Sequence, residues 1–108
     1  MSLDESRFHA LADKTLEGLA DAIDEALGDR LEVELDHGVI NITLEDGGQY
    51  VINKHGPMRQ IWLSSPVSGA AHFDWTGTDW RSTRDPAVEL VATIVAEIEA
   101  KTGVRVAV

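Results

Sequence analysis

The feature that most constrains the fold is a run of short strand-like segments between two helical segments. The strand-like segments are separated by brief turn signals at His37-Gly38, Asp46-Gly47-Gly48 and Gly56-Pro57. Connections this short join antiparallel neighbours, because a parallel crossover needs about a dozen residues or more. The pattern therefore predicts an α+β fold: a two-layer α/β sandwich whose antiparallel sheet of five to six strands carries the N- and C-terminal helices on one face.

The first helical segment covers residues 4–27 and carries one apolar stripe. Apolar residues recur at three- and four-residue steps from Phe8 to Leu27, as in an amphipathic helix that buries one side. Gly28 follows in the position of a left-handed helix cap. The second helix is predicted to begin at Asp85-Pro86, an N-cap acid followed by proline, and to end at Thr102-Gly103.

The strand-like segments cover residues 31–36, 39–45, 49–54, 59–64, 71–75 and 80–83. Alternation places Ile61 and Leu63 against the helices, and it leaves Asn53 and Trp62 on the face that no helix covers. A Trp among polar residues on such a face is typical of an interface anchor, and the alternative is that neighbouring strand side chains shield it. Trp75 is predicted to face the helices, and its truncation is predicted to unfold the protein.

Composition limits the classes of function. The 108 residues contain 19 Asp and Glu, 9 Lys and Arg and no cysteine, with a formal net charge of −10. This length predicts one domain, residues 1–108. The lack of cysteine excludes disulfides, thiolate nucleophiles and cysteine-ligated metal sites. So acidic a chain is expected to bind cations or basic proteins, with no nucleic acid and no membrane as partner.

Two further observations concern compartment and catalysis. The N-terminus is acidic and no apolar run approaches about 18 residues, so the sequence predicts a cytoplasmic protein. None of the standard phosphate-binding, dinucleotide-binding, zinc-protease or serine-hydrolase motifs occurs. The sequence therefore predicts no catalytic residue.

Negative charge is concentrated in the first third of the chain. Residues 1–38 hold 11 acids and 3 bases, so most of the net charge lies there. Along the first helix Asp13, Glu17, Asp21 and Glu25 follow one another at four-residue steps, where like charges destabilise a helix by about 0.2–0.5 kcal/mol per pair. A solvated face that only aids solubility is one interpretation. The other is a site for hard cations or a basic partner.

The central residues resemble the signature of the frataxin family, in its bacterial CyaY type. The similarity lies in Asn53-Lys54-His55-Gly56-Pro57, Gln60-Ile61-Trp62-Leu63-Ser64-Ser65-Pro66, Ser68-Gly69 and Phe73-Asp74-Trp75, with the N-terminal residues from Phe8 to Asp13 and the segment Val39–Leu44 in support. The resemblance implies a frataxin-like fold. It also implies an iron-binding regulator or iron donor in iron–sulfur cluster assembly, which binds Fe²⁺ or Fe³⁺ weakly and holds no tight cofactor.

The resemblance further implies which residues act. The metal-binding residues form an acidic ridge that consists of His9, Asp13, Glu17, Asp21, Asp24, Glu25, Asp29, Glu32, Glu34 and Asp36. Family partners are the cysteine desulfurase, met through this ridge, and the cluster scaffold protein, met through the sheet face. The partner-binding residues carried over for that face are Asn53, Lys54, Gln60 and Trp62.

Some positions depart from the family pattern. His55 stands where many members have Gln, His72 where some have Arg, and Arg59 where some bacterial members have His. The alternative function is a ferroxidase or iron store, which would assemble with iron into oligomers. The leading interpretation is instead a mostly monomeric protein without catalytic residues, although an iron-dependent oligomer and a weak ferroxidase activity stay open.

Overall fold

The computed structural model describes residues 4–108, so the first three residues of the predicted domain 1–108 lie outside it. It contains two helices and six strands. In chain order these are α1 (Glu5–Leu27), β1 (Glu32–Asp36), β2 (Val39–Thr43), β3 (Gln49–His55), β4 (Gln60–Ser65), β5 (Gly69–Trp75), β6 (Trp80–Ser82) and α2 (Leu90–Thr102). The strands form one sheet in sequence order with every neighbour antiparallel. The predicted two-layer α+β sandwich is confirmed.

Helix α1 begins and ends for local chemical reasons. The Asp4 carboxylate accepts a hydrogen bond from the Arg7 amide at 2.8 Å and so caps the first turn. Gly28 is not left-handed as predicted, because its φ is −61°. Glycine is needed there for space, since a Cβ at position 28 would overlap the carbonyl oxygen of Asp24.

Alternation along the strands separates two faces of the sheet. Tyr50 and Ile52 of β3 and Ile61 and Leu63 of β4 are buried on the helix side. The apolar stripe of α1 covers this side, and its buried residues are Phe8, Ala12, Leu16, Leu19, Ala20, Ile23 and Leu27. The other side carries no helix, which agrees with the expectation that it meets water.

Helix α2 begins later than predicted. Asp85 and Pro86 form a turn, in which the Val88 amide bonds to the Asp85 carbonyl, and the cap is Glu89, whose carboxylate accepts from the amides of Val91 and Ala92. Glu89 itself is extended, because the Ser82 amide bonds to the Val88 carbonyl and Glu89 bridges to Arg81, which holds this segment on β6. At the other end, α2 stops at Thr102-Gly103 as predicted, and Gly103, with φ 76°, supplies a left-handed cap.

The two tryptophans on the helix side are not equally buried. Trp80 is 1% exposed and donates its indole N–H to the Thr15 hydroxyl at 3.0 Å, whereas Trp75 is only partly buried. Their rings lie 5.1 Å apart. Trp75 therefore faces the helices as predicted, but the structure gives the central packing role to Trp80.

A half-buried carboxylate ties α2 to the sheet. The Glu97 carboxylate accepts hydrogen bonds from the Tyr50 hydroxyl at 2.8 Å and from the Ser65 hydroxyl at 2.6 Å. Burial, together with the bond to Glu97, raises the pKa of Tyr50 above its ordinary value. These contacts satisfy the polar atoms that α2 brings against the sheet.

We expect Trp80→Ala to lower the free energy of unfolding by about 3–5 kcal/mol, because it leaves a cavity between α1 and the sheet. Trp75→Ala should cost clearly less, because solvent already reaches that ring. Urea denaturation of both variants measures the difference. Equal losses for the two variants would contradict this ranking.

Candidate functional site

Two exposed surfaces hold the residues that the sequence selects. One is the acidic ridge, the ten residues from His9 to Asp36 defined above, which lie on α1, on β1 and in the turn between them. The other is the open sheet face, the side of the sheet opposite the helices. Strand alternation gives this face Asn53 and His55 of β3, Gln60 and Trp62 of β4, and His72 and Asp74 of β5.

Most of the ridge is exposed and free of internal partners. From Glu17 to Asp36 every carboxylate of the ridge is exposed. Within the ridge, all of which the structure describes, the carboxylates without an ion pair are Glu17, Asp21, Asp24, Glu25, Asp29, Glu32 and Glu34. The negative charge of these side chains is thus left for an external cation or a basic surface to neutralise.

The ridge turns around one edge of the sheet. Helix α1 packs on β1 through the side that carries Val33 and Leu35. The carboxylates of Glu32 and Glu34 alternate with these residues and so lie on the side of the open sheet face. The strand and helix carboxylates therefore form a band rather than a single cluster.

Asp13 differs from the rest of the ridge because it is paired. The Lys54 ammonium lies 2.7 Å from its carboxylate, and the Lys54 side chain is 21% exposed. Lys54 therefore lies on the helix side of β3 with Tyr50 and Ile52, and its placement on the open sheet face is wrong. The alternation that placed Asn53 outward already required this of Lys54, but the resemblance alone put the two residues together.

A shallow cleft lies beside this ion pair, where α1 meets the turn between β1 and β2. Asp13, Glu17, His37 and Lys54 line it. The His37 imidazole is 2.8 Å from the Asp36 carboxylate. The cleft thus brings together two ridge carboxylates from α1 and one turn histidine, with the Lys54 ammonium neutralising part of their charge.

His9 lies at the start of the ridge, one turn before Asp13 on α1. Its Nε2 is 3.7 Å from the Glu5 carboxylate. Its Nδ1 is buried, with no hydrogen-bond partner in the part of the chain that the structure describes. His9 is separated from the carboxylates at the far end of α1 by the length of the helix.

The chemistry of the ridge suits hard cations held loosely. Its donors are mainly carboxylate oxygens, which Fe²⁺ and Fe³⁺ accept along with other oxygen-seeking ions. Within residues 4–108, no three His, Asp or Glu side chains are arranged to share one metal ion. Solvent and single carboxylates would therefore complete the coordination of any ion bound there.

On the open sheet face, Trp62 is enclosed by two histidines. The His55 and Trp62 ring centroids are 3.7 Å apart with a 7° angle between planes, and the Trp62 and His72 rings are 4.1 Å apart at 9°. Cross-strand pairing places His72 directly opposite Trp62, and His55 comes from the diagonal position on β3. Trp62 thus lies on the open face as predicted, and it is also shielded by neighbouring strand side chains.

A hydrogen-bond chain fixes the edge of the same indole. The Trp62 indole N–H donates to the Gln60 side-chain oxygen at 2.9 Å, and the Gln60 amide nitrogen donates to the Asp74 carboxylate at 3.0 Å. Gln60 is only 8% exposed. Its amide therefore serves Trp62 internally rather than presenting itself to a partner.

Sequence reasoning missed part of this arrangement. It noted His55 and His72 as departures near the sheet face, but it did not pair either of them with Trp62, and it assigned no role to Asp74. The signal that could have found them is the register of β3, β4 and β5, because cross-strand pairing decides which outward side chains meet. Turn signals alone do not predict that register.

The sequence matches known proteins over most of its length. The profile described as frataxin-like domain matches residues 1–104. The "Iron-sulfur cluster assembly protein CyaY" of Pseudomonas syringae is 36% identical over 98 residues, which are 91% of this chain and 87% of that protein. The mitochondrial frataxin homologue of Saccharomyces cerevisiae is 38% identical over 103 residues, 92% of this chain and 59% of its own.

The mitochondrial relatives are longer than the segment they share with this chain. The homologue of Schizosaccharomyces pombe is 40% identical over 90 residues, 78% of this chain and 57% of that protein. The chain thus spans less than three fifths of either yeast relative. No helix within residues 4–108 is long and apolar enough to cross a membrane.

Solved structures share the fold. Frataxin from Psychromonas ingrahamii superposes with a TM-score of 0.84 over 96% of each chain, at 22% identity. The trimeric frataxin of S. cerevisiae, solved in complex with ferrous iron, superposes with a TM-score of 0.75 at 35% identity, over 96% of this chain and 90% of that one. The sequence profile, the identities and the six-stranded architecture together show that this chain belongs to the frataxin family.

Proposed function

We propose that this chain is an iron-binding regulator or iron donor of iron–sulfur cluster assembly that acts in the cytoplasm. It binds iron weakly on the acidic ridge, contacts the cysteine desulfurase through the same ridge, and contacts the cluster scaffold protein through the open sheet face. The observation that carries the proposal is the set of exposed carboxylates without ion pairs on α1 and β1. Relatives named for cluster assembly support the pathway.

Iron binding follows from the donors of the ridge. Exposed carboxylates attract hard cations, yet each keeps access to water, so the free energy gained per ion is small. Asp21, Asp24 and Glu25 are all exposed, and such carboxylates give several weak sites rather than one tight site. Iron that is bound this weakly can be released to another protein of cluster assembly.

Desulfurase binding follows from the charge of the same surface. The chain carries a net charge of −10, and the ridge carries much of it. A basic surface on a partner would be steered toward α1 and β1 and held mainly by screened attraction. Iron and the desulfurase would then meet the same side chains, which couples metal loading to docking.

Scaffold binding is assigned to the open sheet face because of Trp62. A large aromatic side chain on a face without a helix is a usual anchor for a protein partner. Asn53 lies directly opposite Trp62 on β3 and shares this face. The face is therefore separate from most of the ridge, and the two partners can bind at once.

A ferroxidase or iron-storage function is the second candidate. The observation in its favour is the structural similarity to a trimeric yeast frataxin complexed with ferrous iron. Aerobic titration with Fe²⁺ separates the candidates, because an iron store would oxidise iron over repeated turnovers and form growing oligomers. A regulator would stay monomeric by size-exclusion chromatography.

We expect the triple variant with Asp21, Asp24 and Glu25 replaced by alanine to bind Fe²⁺ more weakly in anaerobic calorimetry. Its thermal stability should be unchanged or higher, because like charges four residues apart on α1 repel by about 0.2–0.5 kcal/mol per pair.

The matched control replaces Glu45, Asp46 and Glu99, which are paired with Arg30, Lys101 and Arg105. It removes the same charge outside the ridge and should leave iron binding nearly intact. Equal losses in the two triple variants would show that iron responds to net charge alone and would reject the ridge as its site.

Charge reversal at Glu17, Asp21 and Asp24 should cut desulfurase binding. Raising the salt concentration should have the same effect on the parent protein, since exposed charges act through long-range attraction that ions screen. Binding measured by biolayer interferometry at low and high salt tests this. Full desulfurase affinity at high salt would rule out an electrostatic ridge.

Trp62→Ala should fold and keep iron binding, but it should lose the effect of the protein on scaffold-dependent cluster assembly. Truncation of an interface anchor commonly costs about 2 kcal/mol or more of binding free energy. The cost in folding free energy should stay below that of Trp80→Ala, because Trp62 lies outside the core. A variant that melts as early as Trp80→Ala, or that assembles clusters like the parent, would contradict the assignment.

A further inference from the structure

A second cleft lies on the helix side of the protein, and none of the residues that line it belongs to the acidic ridge. This Trp75 cleft has a volume of about 380 Å³ and is bounded by α1, the turn between β5 and β6, the start of α2 and Val108. Its apolar walls include Leu11, Trp75, Trp80 and Val91. Sites for small molecules are mostly apolar and commonly measure about 300–1,000 Å³, so the cleft has the size and the lining for a compact ligand.

Gly18 is the unusual residue in the α1 wall of the Trp75 cleft. It lies near the middle of a 23-residue helix, where glycine is less favourable than alanine because it loses more backbone freedom on folding. A Cβ at this position would meet no other part of the protein within 4 Å, so internal packing does not require glycine. The missing side chain instead leaves the α1 backbone open to the cleft, as glycine does where a ligand approaches a backbone closely.

The polar groups of the cleft leave donors rather than acceptors without a partner. The Asp79 carboxylate accepts from the Arg81 guanidinium at 2.7 Å, and the Glu89 carboxylate accepts from two backbone amides at the start of α2. The Lys14 ammonium and the Trp75 indole N–H, by contrast, make no hydrogen bond or ion pair with residues 4–108. A ligand that complements this cleft therefore carries an acceptor group, and the free ammonium favours a negatively charged one.

We propose that the Trp75 cleft binds a small amphipathic carboxylate, with its apolar body against the Trp75 ring and the α1 backbone at Gly18, and its carboxylate at the Lys14 ammonium. A single free cation matches a single negative charge. The whole chain has a net charge of −10 and repels anions, so such a ligand must be held by these local groups. The site involves neither iron nor a protein partner, and it can be wrong without affecting the proposed function.

Titration of the full chain with 4-phenylbutyrate, followed by NMR, tests the site. We expect a saturable shift of the Trp75 indole N–H signal with a dissociation constant of about 1 mM, ordinary for a ligand of this size. The Trp62 indole N–H, on the open sheet face, is the internal control and should not shift. The neutral analogue 4-phenylbutanamide has the same body and should bind about 3- to 5-fold more weakly, as expected when one exposed ion pair is lost.

Variants of two α1 residues test the charged and the apolar part of the cleft separately. Lys14→Gln should weaken binding of 4-phenylbutyrate by about 3- to 5-fold and leave binding of the amide unchanged. Arg7→Gln removes the same charge from α1 outside the cleft, and it should bind both compounds like the parent. Gly18→Leu places a side chain in the cleft and should abolish binding of both compounds. It should also raise the midpoint of urea denaturation, because leucine favours a helix more than glycine does, so lost binding cannot reflect unfolding.

Several results would overturn the proposal. A Gly18→Leu variant that binds 4-phenylbutyrate like the parent would show that the ligand lies elsewhere. If Lys14→Gln has the same effect on the acid and on the amide, the carboxylate is not recognised at Lys14. Equal shifts of the Trp62 and Trp75 signals, or no saturable shift of either, would reject the cleft as a specific site.

Discussion

The burial of the α1 apolar stripe is the interaction on which the rest of the structure depends. Phe8, Leu19, Ile23 and Leu27, which lie along most of the length of α1, are fully buried in the core between this helix and the sheet. Six strands at about 4.8 Å spacing make a sheet roughly 24 Å wide, and two helices of about 10–12 Å diameter can cover only one side of it. Both helices lie on that side, so no helix covers the opposite face.

This constraint also sets the positions of the two candidate surfaces. Because α1 lies over β1 at one edge, its polar side continues onto the outward side chains of that strand, and carboxylates such as Asp21 and Glu34 belong to one band. Trp62 lies in the middle of the sheet, on the side that the helices do not reach. The carboxylate band proposed to bind iron and the desulfurase is therefore distinct from the surface that carries Trp62.

The sequence predicts the architecture well because its signals are local. The apolar stripe of α1, the short turns and the stop of α2 at Thr102-Gly103 each depend on a few neighbouring residues, and each has the predicted effect. The predicted start of α2 is wrong because a tertiary contact, the hydrogen bond from the Ser82 amide to the Val88 carbonyl, overrides the helix-start signal at Asp85-Pro86. Contacts between distant segments are the part that local patterns cannot supply.

The same division holds at the candidate sites. The ridge could be selected from charge spacing on α1 and β1, yet the pairing of Asp13 with Lys54 depends on how α1 lies across β3. Likewise alternation placed Trp62 outward, but its enclosure by His55 and His72 depends on the register of three strands.

The central claim is that two separate surfaces serve iron and the scaffold. The most direct measurement maps backbone amide and indole NMR signals of one sample titrated anaerobically with Fe²⁺ and then with the scaffold protein. The account predicts that Fe²⁺ broadens signals of α1 and β1, whereas the scaffold shifts signals of β3 to β5 and the Trp62 indole; perturbation of one shared set of residues by both would contradict it.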